Sequence, residues 1–262
     1  MAVYSGDDPL ALAVALDSVV RQEFNDDIDS RLYIAVDGPV LGDIDRVLSE
    51  SEKDIYRIHR LERNGGLAAA LNLLIKELGD EEFIFRMDAD DRAHARRYQV
   101  QLDYIRLHPD IDILGTDIVE VDTESGFRRR VSFCKGPDDA SSWLCRRVPV
   151  AHPTVCFRRH VLDRVGGYPA SGTNEDIALW FRCAQEGFKF DNVREPLLDF
   201  TVSPNFWRRR SFNKAVSELR CYMNGIWAMH GITWKYVFPL LRFALRLAPR
   251  WLSRLIYRSS MR

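Results

Sequence analysis

Short apolar runs alternate with segments of helical spacing along the first half of the chain. Runs rich in β-branched and aromatic residues predict strands, whereas apolar residues three or four positions apart predict helices. The predicted strands cover 2–4, 31–36, 55–60 and 82–87, and the predicted helices cover 9–21, 42–49 and 67–78. Strands and helices that alternate in this way form a mostly parallel sheet with helices on its faces. The predicted fold class is therefore α/β, with a Rossmann-like central sheet.

The second half of the chain is less regular. Its apolar spacing predicts helices over 93–108, 141–147 and 174–186, and strands over 111–121 and 155–158. A helical stretch over 204–230 follows. The remainder, 234–262, also has helical spacing, and we expect Pro239 and Pro249 to interrupt it.

Polar or turn-forming residues stand at the carboxyl ends of four of the predicted strands. Strands of a parallel sheet bind ligands at this edge. Four separate strand ends that all carry polar groups therefore predict a binding edge. The four segments are Tyr4-Ser5-Gly6-Asp7, Asp37-Gly38, Arg63-Asn64-Gly65-Gly66 and Asp88-Ala89-Asp90-Asp91.

Three carboxylates crowd into four residues at the last of these strand ends, at Asp88, Asp90 and Asp91. Like charges this close repel one another unless a cation or a set of donors holds them. Asp88 and Asp90 are two residues apart, so in an extended segment they project to the same side and can meet one Mg²⁺ or similar hard cation. The alternative is a solvated acidic turn in which an Asp caps a helix that starts at Ala93.

Composition indicates an ordinary globular protein, since 46% of the 262 residues are hydrophobic and 29% are charged. The five cysteines are scattered and lack C-x-x-C spacing, which indicates reduced thiols and makes a zinc site improbable. We see no basic-then-apolar signal pattern and no apolar stretch of about 20 residues, the length that spans a bilayer. These features predict a cytoplasmic protein.

The formal net charge of −1 hides a basic C-terminal segment. Between Cys221 and Arg262 there is no Asp or Glu. Arginine recurs every fourth residue from Arg242 to Arg262, so successive arginines drift only about 40° around a helix. This pattern predicts a basic amphipathic helix, or two, lying on an anionic bilayer at the inner face of the cytoplasmic membrane. The alternative is a helix packed on the rest of the protein with its arginines in water, and the acidic body argues against nucleic acid as a partner.

An ordered set of short motifs resembles the family-2 inverting glycosyltransferases of the GT-A fold, and among them bacterial enzymes of amylovoran, capsule and O-antigen assembly. The resemblance covers essentially the whole chain. The motifs are Val3-Tyr4, Ser18-Val19-Val20-Arg21-Gln22, Val36-Asp37-Gly38, Asn64-Gly65-Gly66-Leu67, Leu71-Asn72, Met87-Asp88-Ala89-Asp90-Asp91, Arg97 with Gln99 or Gln101, His152-Pro153-Thr154, Gly166-Gly167-Tyr168 and Glu175-Asp176-Ile177-Ala178-Leu179-Trp180.

The resemblance implies a role for each motif. It makes Asp90 the main ligand of Mn²⁺ or Mg²⁺, with Asp88 as a second ligand that also lies near the ribose, and it puts Asp91 either behind the metal or at a helix cap. Asp176 is implied as the catalytic base, with Glu175 as its companion. Tyr4, Asp37 and Asn64 are implied to bind the nucleotide. On the acceptor side, His152 either lines the site or is structural, and Trp180 either stacks on a sugar or lies in the core.

The resemblance implies transfer of a hexose or N-acetylhexosamine from a UDP-sugar to a polyprenyl-diphosphate-linked sugar in bacterial surface polysaccharide biosynthesis. The GT-A catalytic domain would cover 1–203, with a nucleotide-sugar-binding half over 1–92 and an acceptor-side half over 93–203. The basic helical extension would cover 204–262. Two alternatives are a sugar nucleotidyltransferase and a non-catalytic membrane-surface protein. The first needs a basic phosphate loop where this chain has Ser5-Gly6-Asp7-Asp8, and the second leaves the two acidic motifs unexplained.

Overall fold

The computed structural model describes residues 1–25, 28–40, 42–169, 174–202 and 212–247. Its strands and helices alternate along the chain, as the sequence predicts. In order they are β1 (Ala2–Val3), α1 (Pro9–Val20), β2 (Tyr33–Val36), α2 (Gly42–Glu50), β3 (Arg57–Arg60), α3 (Leu67–Glu77), β4 (Phe83–Phe85), β5 (Arg92–Ala93), α4 (Arg97–Leu107), β6 (Ile113–Asp122), β7 (Arg128–Val131), α5 (Pro137–Leu144), β8 (Cys156–Arg158), α6 (Arg159–Val165), α7 (Glu175–Gln185), β9 (Phe190–Val202), α8 (Phe212–His230) and α9 (Val237–Leu247).

The strands form two sheets. The first is parallel, in the order β1-β2-β3, and the second has the order β4-β8-β6-β9-β5, with β7 paired to β6. In the second sheet the β6–β9 pair is parallel and the other pairs are antiparallel. The prediction of a parallel sheet thus holds for β1, β2 and β3, whereas β4 and the strands after it build a mixed sheet. A cavity of about 410 Å³ between the two sheets is lined by Tyr33, Leu74, Phe83 and Phe85.

Helix α1 shows how local sequence fixes an element. Asp8 caps it, because its carboxylate accepts the backbone N–H groups of Leu10 and Ala11 at 2.9 Å. Pro9 occupies the first turn, where its missing N–H costs nothing. Leu12 and Leu16, four residues apart, are buried in a core shared with β1, β2 and α2. The helix therefore begins at the predicted residue and buries the apolar residues whose spacing predicted it.

Differences from the predicted elements have specific causes. Helix α4 begins at Arg97 rather than at residue 93, because Arg92 and Ala93 pair with β9 as a short strand. Pro239 does not interrupt the helix that contains it, since it lies in the first turn of α9 and lacks only an N–H that would have no partner. The sequence analysis missed β7, β9 and α6. Residues 204–211 and 248–262 of the predicted helical segments lie outside the described residues.

The C-terminal helices α8 and α9 pack on the rest of the molecule and on each other. Gly225 of α8 faces Phe181 of α7, where any Cβ would overlap the aromatic ring. Arg242 and Arg246 of α9 both pair with Glu218 of α8, a buried carboxylate. These two arginines therefore bind the protein, and the prediction that all the tail arginines face a membrane is wrong for them. None of the helices in the described ranges is both long and apolar enough to cross a bilayer.

Candidate active site

The acidic segment follows β4 directly, and its first carboxylate is held by a buried arginine. The guanidinium of Arg86 pairs with Asp88 and also donates to the carbonyl oxygen of Met87. Burial is the largest single influence and would raise the pKa of Asp88, but the charge and hydrogen bond of Arg86, with smaller contributions from His152 and the N-terminal amine, together hold that pKa below its usual range. Asp88 is therefore ionised and fixed in direction.

A second buried arginine supports this segment from behind. Arg97 of α4 is fully buried, and its Nη2 donates to the carbonyl of Arg86 at 2.8 Å. Its Nε donates to Gln101 at 3.0 Å, and Gln101 in turn donates to the carbonyls of Leu114 and Thr154. The motif formed by Arg97 and Gln101 therefore holds the strand end that carries the acids. Sequence reading assigned Arg86 no role, although a charged residue inside an apolar strand signals a buried partner.

The third acid, Asp91, is a structural anchor. It is 1% exposed, and its Oδ1 accepts the backbone N–H of Thr201 in β9 at 2.8 Å. Burial, with the negative charges of Asp88 and Asp90, raises its pKa well above the usual value. Because α4 begins six residues later, Asp91 does not cap a helix, and the capping alternative is wrong. Its place behind Asp88 and Asp90 agrees with the other implied role.

Asp88 and Asp90 carry the donor chemistry that a hard divalent cation takes. Mg²⁺ is commonly held by one or two carboxylates, with substrate phosphates completing its shell. Within the described residues, no group of three or more His, Cys, Asp or Glu side chains is arranged to hold a metal ion unaided. Two neighbouring carboxylates therefore fit a cation that arrives with a phosphate-bearing ligand, and do not fit a permanent all-protein site.

Asp37 closes the loop that precedes α3. Its Oδ1 accepts the N–H of Gly65 at 2.7 Å, and its Oδ2 accepts the N–H of Gly66 at 2.9 Å. Asn64 donates to the Asp37 carbonyl at 3.2 Å, and Gly38 lies so close to Asn64 that a Cβ would meet its backbone. The two predicted nucleotide residues Asp37 and Asn64 are thus adjacent. Each carboxylate oxygen keeps a lone pair for a further donor, so the implied contact with a base stays a prediction.

Tyr4 follows β1 at the same edge of the first sheet. Its backbone N–H donates to the carboxylate of Asp7 at 2.9 Å, which forms a tight turn. Gly6 lies against the Tyr4 ring, where a Cβ would approach it to 2.6 Å. The first two strands therefore end in ordered turns beside each other, since Asp37 also donates its N–H to the carbonyl of Val3 at 2.7 Å. The assignment of Tyr4 to a nucleotide stays a prediction.

The second acidic motif begins α7. Asn174, just before the helix, has φ 68° and ψ 38°, in the left-handed region, and its side-chain amide donates to Ser217 of α8 at 3.1 Å. Glu175 and Asp176 then form the first helical turn. Burial, followed by the charge of Glu175, raises the pKa of Asp176 to about 6. A carboxylate with this pKa is ionised at pH 7 and still accepts a proton readily, which suits a general base.

His152 and Tyr168 lie between the two acidic motifs. The His152 Nε2 is 2.8 Å from the Tyr168 hydroxyl, and burial lowers the pKa of His152 to about 3, so the ring is neutral. The charges of both Asp88 and Asp176 act on the Tyr168 hydroxyl, and the charge of Asp88 also reaches His152. Tyr168 therefore lies near both motifs, and its hydrogen-bonding contact with the buried His152 supports a structural role for that histidine.

Two neighbouring motifs build the wall of this site. Asn72 clamps the backbone of Tyr168, donating to its carbonyl at 2.8 Å and accepting its N–H at 2.7 Å. Gly167 packs so tightly on the Asn72 side chain that a Cβ would clash with it. Trp180 is fully buried, stacked on Phe157, so the alternative in which it stacks on a sugar is wrong.

Comparison with known proteins gives a family and several relatives. The family model described as Glycosyl transferase family 2 matches residues 2–166. The chain is 28% identical over 265 residues to the UDP-Gal:alpha-D-GlcNAc-diphosphoundecaprenol beta-1,3-galactosyltransferase of Escherichia coli, covering 100% of this chain and 95% of that protein. It is 27% identical over 224 residues to the amylovoran biosynthesis glycosyltransferase AmsE of Erwinia amylovora, covering 85% and 82%.

Solved structures agree on the fold. The S. aureus TarS 1-349 structure in complex with UDP superposes with a TM-score of 0.63 at 16% identity, covering 97% of this chain and 82% of that one. The mannosyltransferase PcManGT from Pyrobaculum calidifontis, in complex with GDP-Man and Mn2+, gives a TM-score of 0.60 at 14% identity, covering 99% and 78%. At these identities the likeness establishes the GT-A fold alone.

Proposed function

Since this chain belongs to glycosyl transferase family 2 and is a glycosyltransferase, we propose that it moves a hexose or N-acetylhexosamine from a UDP-sugar to a lipid-linked sugar, with inversion at the anomeric carbon. Family membership removes the two alternatives, a sugar nucleotidyltransferase and a non-catalytic surface protein. The product would be an intermediate of a bacterial surface polysaccharide such as exopolysaccharide, capsule or O-antigen.

One observation carries the proposal, namely two acidic motifs of different character in a single site. Asp88 is held ionised by Arg86, whereas the pKa of Asp176 is raised to about 6. Carboxylates whose environments drive their pKa values apart serve different roles in one reaction. Asp88 and Asp90 suit a divalent cation carried by the donor diphosphate, and Asp176 suits the proton of an acceptor hydroxyl.

The reaction would be a single displacement. The acceptor hydroxyl oxygen attacks the anomeric carbon from the side opposite the diphosphate, a new C–O bond forms, and the bond to the phosphate oxygen breaks. Asp176 takes the hydroxyl proton, while Glu175 beside it orients the acceptor or the start of α7. Tyr4, Asp37 and Asn64 would position the nucleotide at the edge of the first sheet.

Asp90, together with Asp88, would hold Mn²⁺ or Mg²⁺ on the donor diphosphate. When bound, the cation stabilises the negative charge that develops on the leaving group. Arg86 would fix Asp88 in direction, and Asp91 would fix the backbone of the segment through Thr201. A relative in the family carries diphosphoundecaprenol in the name of its substrate, which supports a polyprenyl-diphosphate-linked acceptor for this chain.

A donor screen tests the proposed reaction. We expect transfer from one of UDP-glucose, UDP-galactose or their N-acetyl forms to a sugar-diphosphate-lipid acceptor, with Mn²⁺ or Mg²⁺ present. The UDP-sugar donors have an α linkage, so the product should show the large H1–H2 coupling of a β linkage by NMR. An α product would contradict inversion, and transfer only from GDP-sugars would contradict the donor assignment.

We further propose that the enzyme lies at the inner face of the cytoplasmic membrane through its C-terminal segment, where a lipid-linked acceptor would be held. Four arginines of the predicted basic helix remain after Arg242 and Arg246 are assigned to Glu218. Aromatic and aliphatic side chains on α8, α9 and the turn between them are also exposed, among them Trp227 at 60% and Trp234 at 69%. Tryptophans of this kind favour the headgroup region of a bilayer.

Charge removal in the segment tests the membrane proposal. We expect the fourfold variant with Arg250, Arg254, Arg258 and Arg262 changed to Gln to bind phosphatidylglycerol vesicles about 1,000-fold more weakly in a sedimentation assay, since each arginine near such a surface contributes about 1 kcal/mol. The matched control changes the exposed Arg21, Arg46, Arg60 and Arg164 to Gln. Truncation after Ile232 is a poorer test, because it strands Glu218 without its partners, at a cost of about 3–5 kcal/mol. Equal binding by both fourfold variants would contradict the proposal.

A further inference from the structure

A groove of about 800 Å³ runs between α7 and α8, on the side of α8 opposite Glu218. Apolar residues form part of its wall, including Phe181, Val216 and the bare backbone of Gly225. Because Gly225 has no side chain, α8 approaches the ring of Phe181 closely there, and these two residues form an apolar part of the floor. We refer to this feature as the α7–α8 groove.

Two arginines and no acids line the α7–α8 groove. Arg182 of α7 and Arg220 of α8 are both exposed, and neither forms an ion pair within the described residues. Among the described residues, the one hydrogen bond of the Arg182 side chain goes to the carbonyl of Val165, at 2.9 Å. On the other side of α8, by contrast, Glu218 pairs with both Arg242 and Arg246. Two unneutralised guanidinium groups above an apolar floor fit a ligand that is both anionic and apolar, and guanidinium suits phosphate in particular.

The groove passes near the start of α7, the helix that carries the proposed base, since Cys221 in its lining contacts the carbonyl of Asn174 at 4.0 Å. The contacts between the two helices follow the same order along both, with Asn174 on Ser217 and Phe181 on Tyr222, so α7 and α8 run in parallel. Cys221 lines the groove near its start, and after burial the charge of Asp176 is the largest influence that raises its thiol pKa to about 12. Arg182 is six residues beyond Asp176, or about 9 Å along the helix axis.

At its other end the groove meets exposed apolar side chains. Asn224 and Ala228 line it, and Trp227, three residues from Asn224, is a neighbour on the helix surface and 60% exposed. Phe212, the first residue of α8, lines the groove at the end nearer Asn174 and is 62% exposed. Exposed aromatic residues beside an arginine pair mark a surface that contacts lipid or protein.

We propose that the α7–α8 groove binds the polyprenyl-diphosphate carrier of the acceptor, with Arg182 and Arg220 on the two phosphates and the first isoprene units on the apolar floor. This inference rests on the proposed lipid-linked acceptor and adds the location of its carrier. The acceptor sugar then lies between the arginines and Asp176, and the lipid chain leaves along Trp227 towards the bilayer. Arg182 and Arg220 are thus substrate-binding residues that take no part in the chemistry.

Farnesyl diphosphate is the probe, titrated by calorimetry in chelator so that the donor site, without its cation, does not compete for the diphosphate. We expect Arg220→Gln to weaken its binding roughly 10-fold and the double change with Arg182→Gln roughly 100-fold, because each charge-assisted hydrogen bond to phosphate is lost. The control Arg164→Gln, an exposed arginine paired with Glu186 outside the groove, should bind like the unchanged protein. Arg220 makes no side-chain hydrogen bond among the described residues, so its variant should keep the melting temperature.

Each outcome of this experiment decides one part of the inference. Equal affinity of the double variant and the control overturns the groove. Inorganic diphosphate that binds as tightly as farnesyl diphosphate overturns the lipid part, and phosphatidylglycerol vesicles that displace the probe from the groove overturn its selectivity for the carrier. The titration needs no donor, sugar or turnover, so it tests the groove separately from the proposed reaction. If the protein proves inactive but its binding of farnesyl diphosphate depends on these arginines, the carrier site is supported and the proposed reaction fails. An active protein with unchanged acceptor KM in the double variant sinks the groove alone.

Discussion

Asp176→Asn is expected to lower kcat about 10²–10⁴-fold, the usual contribution of a positioned general base. The amide keeps the size and hydrogen-bonding geometry of the side chain but does not take a proton from the acceptor hydroxyl. Affinity for UDP and for the divalent cation should be unchanged, because both ligands would lie at Asp88 and Asp90. The matched control is Glu186→Gln, an exposed carboxylate just beyond the other end of α7 that pairs with Arg164.

The pH profile provides a second readout of the same residue. The pKa of Asp176 is raised to about 6, so its carboxylate form, the active base, is depleted as the pH falls below 6. In the unchanged enzyme, kcat/KM should therefore fall about tenfold for each pH unit on the acid side. That limb should be absent from the residual activity of Asp176→Asn. Unchanged kcat with weakened UDP binding would instead make Asp176 a donor-site residue.

Asp90→Asn should abolish turnover that depends on Mn²⁺ or Mg²⁺, because it removes the main proposed ligand of the cation on the donor diphosphate. Asp90 is partly exposed, so the fold should survive the change and the melting temperature should stay within a degree or so. Calorimetry of UDP with Mn²⁺ should show a loss of cation-dependent affinity. The control is Asp43→Asn, which changes an exposed carboxylate of α2.

Asp90 is a better position for testing the metal than its neighbours Asp88 and Asp91, whose replacement would also disturb the fold. Asp88→Asn would also leave Arg86 buried without its anion, so loss of activity there would combine ligand loss with instability. Asp91 is buried and bonded to Thr201, so its replacement would perturb β9. Replacement of Asp90 therefore separates loss of the metal ligand from loss of stability. Full turnover by Asp90→Asn in chelator would contradict the metal role altogether.

The local sequence determined the elements and the positions of the acids. Asp8 and Pro9 start α1, and the apolar run over β4 ends at Asp88, because caps, turns and periodicity depend on residues a few positions apart. The motif order was sufficient to indicate the GT-A fold and the glycosyltransferase family. It also indicated Asp88 and Asp90 as metal ligands and Asp176 as the base, and the experiments above test these roles in this chain.

Only the tertiary structure decided which partner each polar group meets. Asp91 accepts a hydrogen bond from Thr201, which is 110 positions away, and Asp37 accepts hydrogen bonds from Gly65 and Gly66. Glu218 forms ion pairs with two arginines whose spacing predicted a membrane-facing surface. Trp180 looked equally suited to a sugar and to the core until packing placed it against Phe157. Charge and periodicity show that a side chain needs a partner or a covered surface, but long-range packing selects which partner satisfies it, because burial makes an unpaired polar group costly wherever it lies in the chain.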